Sequence, residues 1–181
     1  MLRVSVVGAS GSGKSWVASQ VAARLGVPYL ELDAVRHQPN WQELPDAQFL
    51  EEVQRFVTQD RWVVDGNYFS VVTEPAVWSA ADTVIWVDLP KGAVMRQVAW
   101  RTLKRVVQRK ELWNGNRERL RDLLHWDPYR SIIRWSWTNY RVVRERYEAA
   151  MADSRWQHLE FVRLRSRDQV GRYVARIQRL R

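Results

Sequence analysis

The stretch GASGSGKS, residues 8–15, constrains the fold of this 181-residue chain more than any other feature. It matches the pattern G-x-x-x-x-G-K-[ST] through Gly8, Gly13, Lys14 and Ser15. A β-branched run, VSVV, precedes it, and apolar residues at helical spacing follow it. A strand, a glycine-rich turn and a helix are together the context in which this pattern forms a phosphate-binding loop.

The residue types of this stretch explain how it would hold phosphate. Glycines let the backbone turn tightly and point its N–H groups inward, and the N-terminus of the next helix adds a partial positive charge. The Lys14 ammonium suits the β- and γ-phosphates of a nucleotide, and the Ser15 hydroxyl is a ligand for Mg²⁺. We predict that ATP binds to the following residues: Gly8, Ala9, Ser10, Gly11, Ser12, Gly13, Lys14, Ser15 and Trp16.

Composition narrows the class of protein. A chain of 181 residues is expected to form one domain. There is no cysteine, which excludes disulfides and thiolate metal sites. We see no signal-peptide pattern and no apolar run of membrane-spanning length, so we expect a cytoplasmic protein without membrane contact. The net charge of +9 is uneven: it is −4 over residues 1–95, +9 over residues 96–146 and +4 over residues 147–181.

Strand-like and helix-like stretches alternate along the chain. We predict strands near residues 2–7, 27–32, 61–65, 81–89 and within HLEFVRLRS. We predict helices near residues 13–25, 46–57, 91–108, from Pro128 onward and over 167–180, with Ile133, Trp137, Tyr140 and Tyr147 on one stripe. The third and fourth strands lack clean alternation, as strands buried on both faces do. The pattern predicts an α/β fold, a three-layer α/β/α sandwich around a five-stranded parallel sheet.

Acidic residues are predicted at the same edge of this sheet as the phosphate-binding stretch. Ligands of parallel sheets bind beyond the carboxyl ends of the strands. The second, third and fourth predicted strands end at Asp33, Asp65 and Asp88. We therefore expect three carboxylates to lie near the phosphates of a bound nucleotide.

Several phrases of the chain resemble a known group of proteins. The stretches GASGSGKS, LELD and WVVDGNYF, with a late arginine-rich segment, resemble the small P-loop kinases of the adenylate kinase and shikimate kinase group. The phrases LDAVRHQPNW, RWVVDGNY and ELWNGNRE are most similar to bacterial topology-modulation (FlaR-type) proteins that are adenylate-kinase-like. The resemblance covers nearly the whole chain. It implies one P-loop kinase domain over residues 1–181, with an arginine-rich helical lid at about residues 101–127.

The resemblance also implies roles for individual residues. Asp33 would accept the proton of the acceptor hydroxyl or hold a water bound to Mg²⁺. Asp65 would support Mg²⁺ together with Ser15. Arg36 would lie over the acceptor, and the backbone at Gly66 and Asn67 would approach it closely. Adenylate kinases continue from the Asp-Gly pair with DGFPR, whereas this chain reads DGNYF. Phe69 stands where they have arginine, so adenylate kinase activity itself is not carried over.

The late arginines have two interpretations. Arg101, Arg105 and Arg109 recur every four residues on one helix face, and Arg117, Arg119 and Arg121 follow. A solvated basic face would have the same pattern, but arginines that close over a transferring phosphoryl group lower its barrier. We favour the second interpretation for the cluster, with Arg101 and Arg105 as the catalytic lid arginines that the resemblance implies. Arg163, with Arg165 beside it, would pack against adenine.

These observations predict a Mg²⁺- and ATP-dependent phosphotransferase that acts on a small molecule, with a nucleoside or nucleotide among the candidate acceptors. The alternative is a nucleic-acid-associated P-loop ATPase or regulator of the DNA topology modulation type, because basic side chains interleaved with tryptophan also suit phosphate backbone and bases. No module that reads DNA or RNA is recognisable in the sequence. Nucleic acid is therefore a partner that we do not favour, and the acceptor and oligomeric state stay open.

Overall fold

A five-stranded parallel sheet organises the chain. The computed structural model describes residues 2–108, 111–117 and 131–177. The strands are β1 (Arg3–Gly8), β2 (Tyr29–Glu31), β3 (Trp62–Asp65), β4 (Thr83–Val87) and β5 (Glu160–Leu164). Their order in the sheet is β2-β3-β1-β4-β5, and every neighbouring pair is parallel. The predicted sheet is confirmed.

Helices cover both faces of this sheet. The α-helices of the described residues are α1 (Lys14–Leu25), α2 (Leu32–Arg36), α3 (Asp46–Val57), α4 (Lys91–Val107), α5 (Ile132–Ala152) and α6 (Arg167–Arg176). A π-helical segment, Phe69–Trp78, lies between β3 and β4. None of the described helices is long and apolar enough to cross a membrane.

Two apolar layers hold the three-layer sandwich together. On one face, α3, α5 and the π-helical segment pack side chains such as Phe49, Trp78 and Tyr147 against the sheet. On the other face, α1, α4 and α6 contribute side chains such as Val21 and Val98. The central strands are buried on both faces, which explains their continuous β-branched sequence. The three-layer α/β/α fold is therefore confirmed.

Some predicted boundaries were wrong, and packing explains why. The second strand was predicted to continue through Leu32, but β2 ends at Glu31 and α2 begins at Leu32. The Leu32 side chain is buried close to Gly66, where a side chain in place of the glycine hydrogen would overlap it. Trp137 was predicted on the core stripe of α5, but it is 57% exposed and lies under the Lys91 ammonium at 3.6 Å. The predicted helix start at Pro128 lies outside the described residues, as does the end of the predicted last helix after Ile177.

The strand register brings the functional elements to one edge. Val6 of β1 lies opposite Asp65 of β3, which in turn lies opposite Glu31 of β2. Gly8 lies opposite Val87 at the end of β4. Parallel strands that end at the same level expose their loops at one edge, which is where ligands of such sheets bind.

The contact between α4 and the loop after β1 generates a first prediction. A Cβ atom at Gly11 would overlap the Val98 side chain of α4, and Gly11 also has φ +83°. Gly26 has φ +67° with open space around it, so it is a matched control. We expect Gly11→Ala to lower the free energy of unfolding by about 2–4 kcal/mol, and Gly26→Ala by only about 1 kcal/mol. Equal losses in denaturant titrations would contradict this packing.

Candidate functional site

The predicted phosphate-binding residues form one loop between β1 and α1. Gly8, Gly11 and Gly13 have φ of 151°, 83° and 93°, which side chains of L-residues rarely allow. A Cβ at Gly8 would lie 2.6 Å from the Val87 carbonyl oxygen, so glycine is also required for the close approach to β4. Ser12 is buried, and its hydroxyl oxygen has no hydrogen-bond partner within the described structure. The loop thus has the backbone shape of a phosphate cradle.

The start of α1 carries the side chains that the motif requires. Lys14 is only 8% exposed, although a lysine normally extends into solvent. Ser15 follows it in the first turn, where backbone N–H groups have no partner within the helix. Trp16 is different, because its indole is 55% exposed. The predicted contact of Trp16 with a nucleotide is therefore one that its backbone N–H could make.

Asp65 lies at the end of β3 and fits the metal-supporting role. Its side chain is 1% exposed, and its Oδ1 accepts a hydrogen bond from the Tyr29 hydroxyl at 3.1 Å. Its Oδ2 has no partner in the described part of the chain. Burial raises the pKa of Asp65 to about 6, and the nearby Lys14 ammonium and Ser15 hydroxyl oppose that rise.

These atoms fit Mg²⁺ together with a nucleotide. A buried carboxylate oxygen without a partner and a hydroxyl beside it are ligands of the kind that Mg²⁺ takes. Among the described residues, no group of three or more His, Cys, Asp or Glu side chains could hold a metal by itself. Mg²⁺ in P-loop proteins is typically held by few protein ligands together with phosphate oxygens and water. Ser15 and Asp65 are therefore the residues that would hold it here.

Asn67 ties the loop after β3 to the start of the phosphate loop. Its Nδ2 donates to the Gly8 carbonyl at 2.6 Å, and the Gly8 N–H donates to its Oδ1 at 3.3 Å. The Tyr147 hydroxyl of α5 donates to the same Oδ1 at 2.8 Å. The Asn67 side chain thus fixes Gly8, and the predicted approach of its backbone to an acceptor stays a prediction. We name Gly8, Asn67 and Tyr147 the asparagine clamp.

Gly66, next to Asn67, also has a packing role. Its φ is +147°, and a Cβ there would lie 2.7 Å from Cβ of Leu32. Its N–H donates to the Val6 carbonyl at 3.3 Å. Glycine at this position therefore lets β3, β1 and α2 meet closely. The predicted contact of Gly66 with an acceptor stays a prediction.

Asp33 is the centre of the predicted acceptor side. The residue lies in the first turn of α2, directly after β2, and not at the end of the strand itself. Its Oδ1 accepts a hydrogen bond from the Tyr68 hydroxyl at 2.8 Å. The same hydroxyl lies 3.4 Å from Nε2 of His37. Burial, followed by the neighbouring Asp33 carboxylate, raises the pKa of Tyr68 well above its usual range, so the hydroxyl keeps its proton and orients Asp33.

Arg36 has a structural role that the sequence did not predict. Its terminal nitrogens donate to Glu43 at 2.6 Å, to Asp46 at 2.6 Å and to the Leu44 carbonyl at 2.7 Å. The guanidinium side chain is 14% exposed and lies over the Phe49 ring. Both terminal nitrogens are thus used within the protein, where they close the loop between α2 and α3. The predicted contact of Arg36 with an acceptor stays a prediction, and it would have to be made by a side chain that is already paired.

Arg101 and Arg105 lie on the face of α4 that continues from the phosphate loop. Val98 and Gln97 of this helix lie against Gly11 and Gly13. Positions 101 and 105 follow Gln97 by four and eight residues, which places them along the same face. Both arginines are half-buried. Arg109, Arg119 and Arg121 lie outside the described residues, as does most of the predicted lid beyond residue 117.

Arg163 is paired with carboxylates. Its Nε and one terminal nitrogen donate to Oδ2 of Asp88 at 2.9 and 2.6 Å, and that terminal nitrogen also donates to Glu148 at 2.6 Å. The guanidinium lies 4.0 Å from the centre of the Trp86 ring. The predicted packing of Arg163 against adenine stays a prediction. The contacts of Arg163 neutralise Asp88, so of the three predicted carboxylates only Asp33 and Asp65 are left for ligand chemistry.

Sequence reasoning missed the residues that orient the site. Tyr68 lies in a stretch that resembles the small P-loop kinases, but no role was predicted for it. Tyr147 was predicted only as a member of the apolar stripe of its helix. Asn114 and Asn116, in the WNGN stretch, donate to backbone carbonyls of the loop after Asp33. The residues next to an asparagine in the sequence do not indicate which distant carbonyl group its side chain will contact. The two asparagines around a glycine were the only available signal, because this pattern is typical of a tight turn.

Comparison with solved structures shows the fold. A shikimate kinase from Acinetobacter baumannii, in complex with shikimate, overlaps with a TM-score of 0.61 at 10% identity, covering 98% of this chain and 90% of that chain. A shikimate kinase from Bacteroides thetaiotaomicron has a TM-score of 0.56 at 12% identity, covering 97% and 95%. No protein-family model and no curated protein matches the sequence. The chain has the fold of small P-loop kinases, and the comparisons give no support to the narrower likeness to topology-modulation proteins.

The asparagine clamp generates a second prediction. Asn67→Ala removes both hydrogen bonds that hold Gly8, and we expect ATP affinity to fall roughly thirtyfold because each bond contributes on the order of 1 kcal/mol. Asn139→Ala is the matched control, since the Asn139 amide bonds within α5, to the Trp135 carbonyl. Calorimetric titration with Mg·ATP measures both variants. If Asn67→Ala and Asn139→Ala bind ATP equally well, the asparagine clamp does not contribute to ATP binding and this prediction is wrong.

Proposed function

We propose that this protein is a kinase that uses Mg²⁺ and ATP to phosphorylate a hydroxyl group of a small molecule. The observation that carries the proposal is the meeting of the glycine loop, Lys14 and the two carboxylates Asp65 and Asp33 at one edge of the sheet. Phosphoryl transfer requires the phosphates to be held, their charge to be neutralised and the attacking hydroxyl to be oriented. The residues at this edge would meet each of these requirements.

On the nucleotide side, the loop and α1 would bind the phosphates of ATP. Backbone N–H groups of residues 8–15 would donate to the phosphate oxygens. Lys14 would place its buried charge on the β- and γ-phosphates, where little solvent screens it. Mg²⁺, held by Ser15 and Asp65, would neutralise negative charge on the phosphates. Arg101 and Arg105 would approach the transferring group from α4, as the resemblance implies.

On the acceptor side, Asp33 would act on the attacking hydroxyl. The Tyr68 hydrogen bond occupies its Oδ1 at 2.8 Å. The other carboxylate oxygen would accept the proton of the acceptor hydroxyl as its oxygen attacks the γ-phosphorus. The proton would therefore move to Asp33, and the bond to the leaving oxygen of ADP would break.

The narrower parts of the proposal rest on the sequence resemblance. The acceptor would be a small molecule, with nucleosides and nucleotides among the candidates, and the enzyme would be adenylate-kinase-like in its architecture. The similar A. baumannii structure holds shikimate, a small ring carboxylate with hydroxyl groups, and it supports the size of the proposed acceptor but not its charge. The comparisons do not favour the alternative of a nucleic-acid-associated ATPase. A cytoplasmic location is also part of the proposal.

The division of labour between the two carboxylates generates a third prediction. We expect Asp33→Asn to bind ATP normally and to lower kcat roughly a hundredfold at any Mg²⁺ concentration, because a proton acceptor is lost. We expect Asp65→Asn to need more Mg²⁺ and to regain part of its activity when Mg²⁺ is added. Asp60→Asn, on the exposed turn before β3, serves as the matched control. Initial rates of ADP release, measured across Mg²⁺ concentrations, separate the variants.

Two outcomes would contradict this assignment. If the phenotypes of the two variants were exchanged, the roles of the carboxylates would be reversed while the kinase reaction remained. If both variants released ADP at the rate of the Asp60→Asn control, neither carboxylate would take part, and the proposed reaction would be wrong.

A further inference from the structure

We propose that the acceptor is an uncharged ring compound with a hydroxyl group, such as a sugar or a nucleoside. We further propose that it binds to a wall formed by residues 37–41 and 112–116, which we name the aromatic wall. This inference deepens the proposed function and rests on it, because the wall stands next to Asp33. It names the chemical class of the acceptor, which the sequence left open.

Two asparagines join the segments of the aromatic wall. Asn116 is 4% exposed; its Oδ1 accepts from the Trp41 N–H at 2.9 Å, and its Nδ2 donates to the Gln38 carbonyl at 2.9 Å. Nδ2 of Asn114 donates to the His37 carbonyl at 2.6 Å and to the Ala34 carbonyl at 3.1 Å. Residues 112–116 belong to the predicted lid, yet these bonds fasten them to the acceptor side.

Backbone strain occurs in the same two segments, residues 37–41 and 112–116. Among the described residues, the non-glycine residues with positive φ are Asn40 at 60°, Trp41 at 58° and Asn114 at 54°. All of them lie in the two segments of the aromatic wall. Tryptophan rarely adopts this conformation, which costs on the order of 1–3 kcal/mol and persists only where surrounding contacts impose it. Strain of this kind is concentrated at ligand-binding sites.

The wall presents aromatic rings beside a carboxylate. The His37 ring lies between the Trp41 ring, at 5.5 Å, and the Trp113 ring, at 5.6 Å between centroids. The Trp41 side chain is 41% exposed, so part of its surface is open to a ligand. Nε2 of His37 reaches the Tyr68 hydroxyl, which bonds Asp33. An aromatic surface beside a proton acceptor matches a molecule with an apolar ring face and a hydroxyl.

Among the described residues next to Asp33, the charges favour an uncharged molecule. Arg36, the cation that follows Asp33 on α2, is neutralised by Glu43 and Asp46. Phe69, which stands where adenylate kinases have an arginine, packs against Trp78 at 5.3 Å and Tyr147 at 6.1 Å, and the exposed Arg146 guanidinium lies over the outer part of the ring, 5.1 Å from its centre. Asp33 itself would repel a carboxylate or phosphate brought next to it. A hydroxyl compound without charge avoids this repulsion.

Matched pairs of acceptors test the class. Glucose and gluconate differ by a carboxylate, and adenosine and AMP differ by a phosphate, so the two pairs also separate a sugar from a nucleoside. With Mg·ATP, we expect the uncharged member of at least one pair to have a kcat/KM at least about tenfold higher than its charged partner, a difference worth about 1.4 kcal/mol. ADP release and the mass of the product are measured for each compound.

Binding measurements distinguish failure of this inference from failure of the proposed function. Each compound is titrated calorimetrically into the protein saturated with a non-hydrolysable ATP analogue and Mg²⁺. If only gluconate or AMP binds and is phosphorylated, the proposed kinase activity is supported, but the proposal that the acceptor is uncharged is wrong. If an uncharged compound binds but is never phosphorylated, binding of an uncharged compound is supported, but the proposed reaction is wrong. If no uncharged compound binds, the inference is wrong.

A tryptophan variant tests the wall directly. We expect Trp113→Ala to raise KM for the uncharged acceptor roughly tenfold without changing KM for ATP, because lost aromatic contact removes on the order of 1 kcal/mol or more. Trp113→Phe keeps a ring and should retain most of the affinity. Trp100→Ala is the control, since Trp100 is 67% exposed on α4. Equal acceptor KM values for Trp113→Ala and the control would overturn the proposal.

Discussion

The hydrogen-bonded clamp between Asn67 and Gly8 holds the site together. Gly8 ends the central strand β1 and begins the phosphate loop, so its position fixes where every later N–H group of the loop points. Asn67 binds both backbone groups of Gly8, and Tyr147 binds Asn67 from α5. Because these residues come from β1, the loop after β3 and α5, the phosphate loop is fixed by the sheet and by one flanking layer. A loop shaped in advance loses little entropy when phosphate binds.

Charge divides the edge of the sheet into two sides. On the proposed nucleotide side, buried Lys14 and the N-terminus of α1 would attract phosphates. On the acceptor side, Asp33 is oriented by Tyr68, and Arg36 is already neutralised. Asp65 lies between them, buried and with its pKa raised to about 6, where Mg²⁺ would favour its charged form. This division explains how one site would attract a polyanion and also accept a neutral hydroxyl compound.

The sequence predicted the parts that depend on local pattern. The glycine loop, the parallel sheet and the helix Asp46–Val57 follow from residue spacing and β-branched runs, although the helix begins at Asp46 after Pro45 and has no side-chain cap. The roles of polar side chains could not be predicted, because they depend on contacts between residues far apart in the chain. Arg163, for example, pairs with Asp88, which lies 75 residues earlier in the chain. The π-helical segment with Pro75 inside was also missed, since proline normally ends a helix.

The affinity of the protein for ATP, ADP and AMP tests the central claim, which is that residues 8–15 hold the β- and γ-phosphates. Calorimetric titrations with each nucleotide, with and without Mg²⁺, would measure it directly. The account predicts that ATP with Mg²⁺ binds at least about a hundredfold more tightly than AMP, because AMP lacks the phosphates that the loop and Lys14 contact. It also predicts that omission of Mg²⁺ weakens ATP binding. Equal affinity for ATP and AMP, or no binding of ATP, would contradict the account.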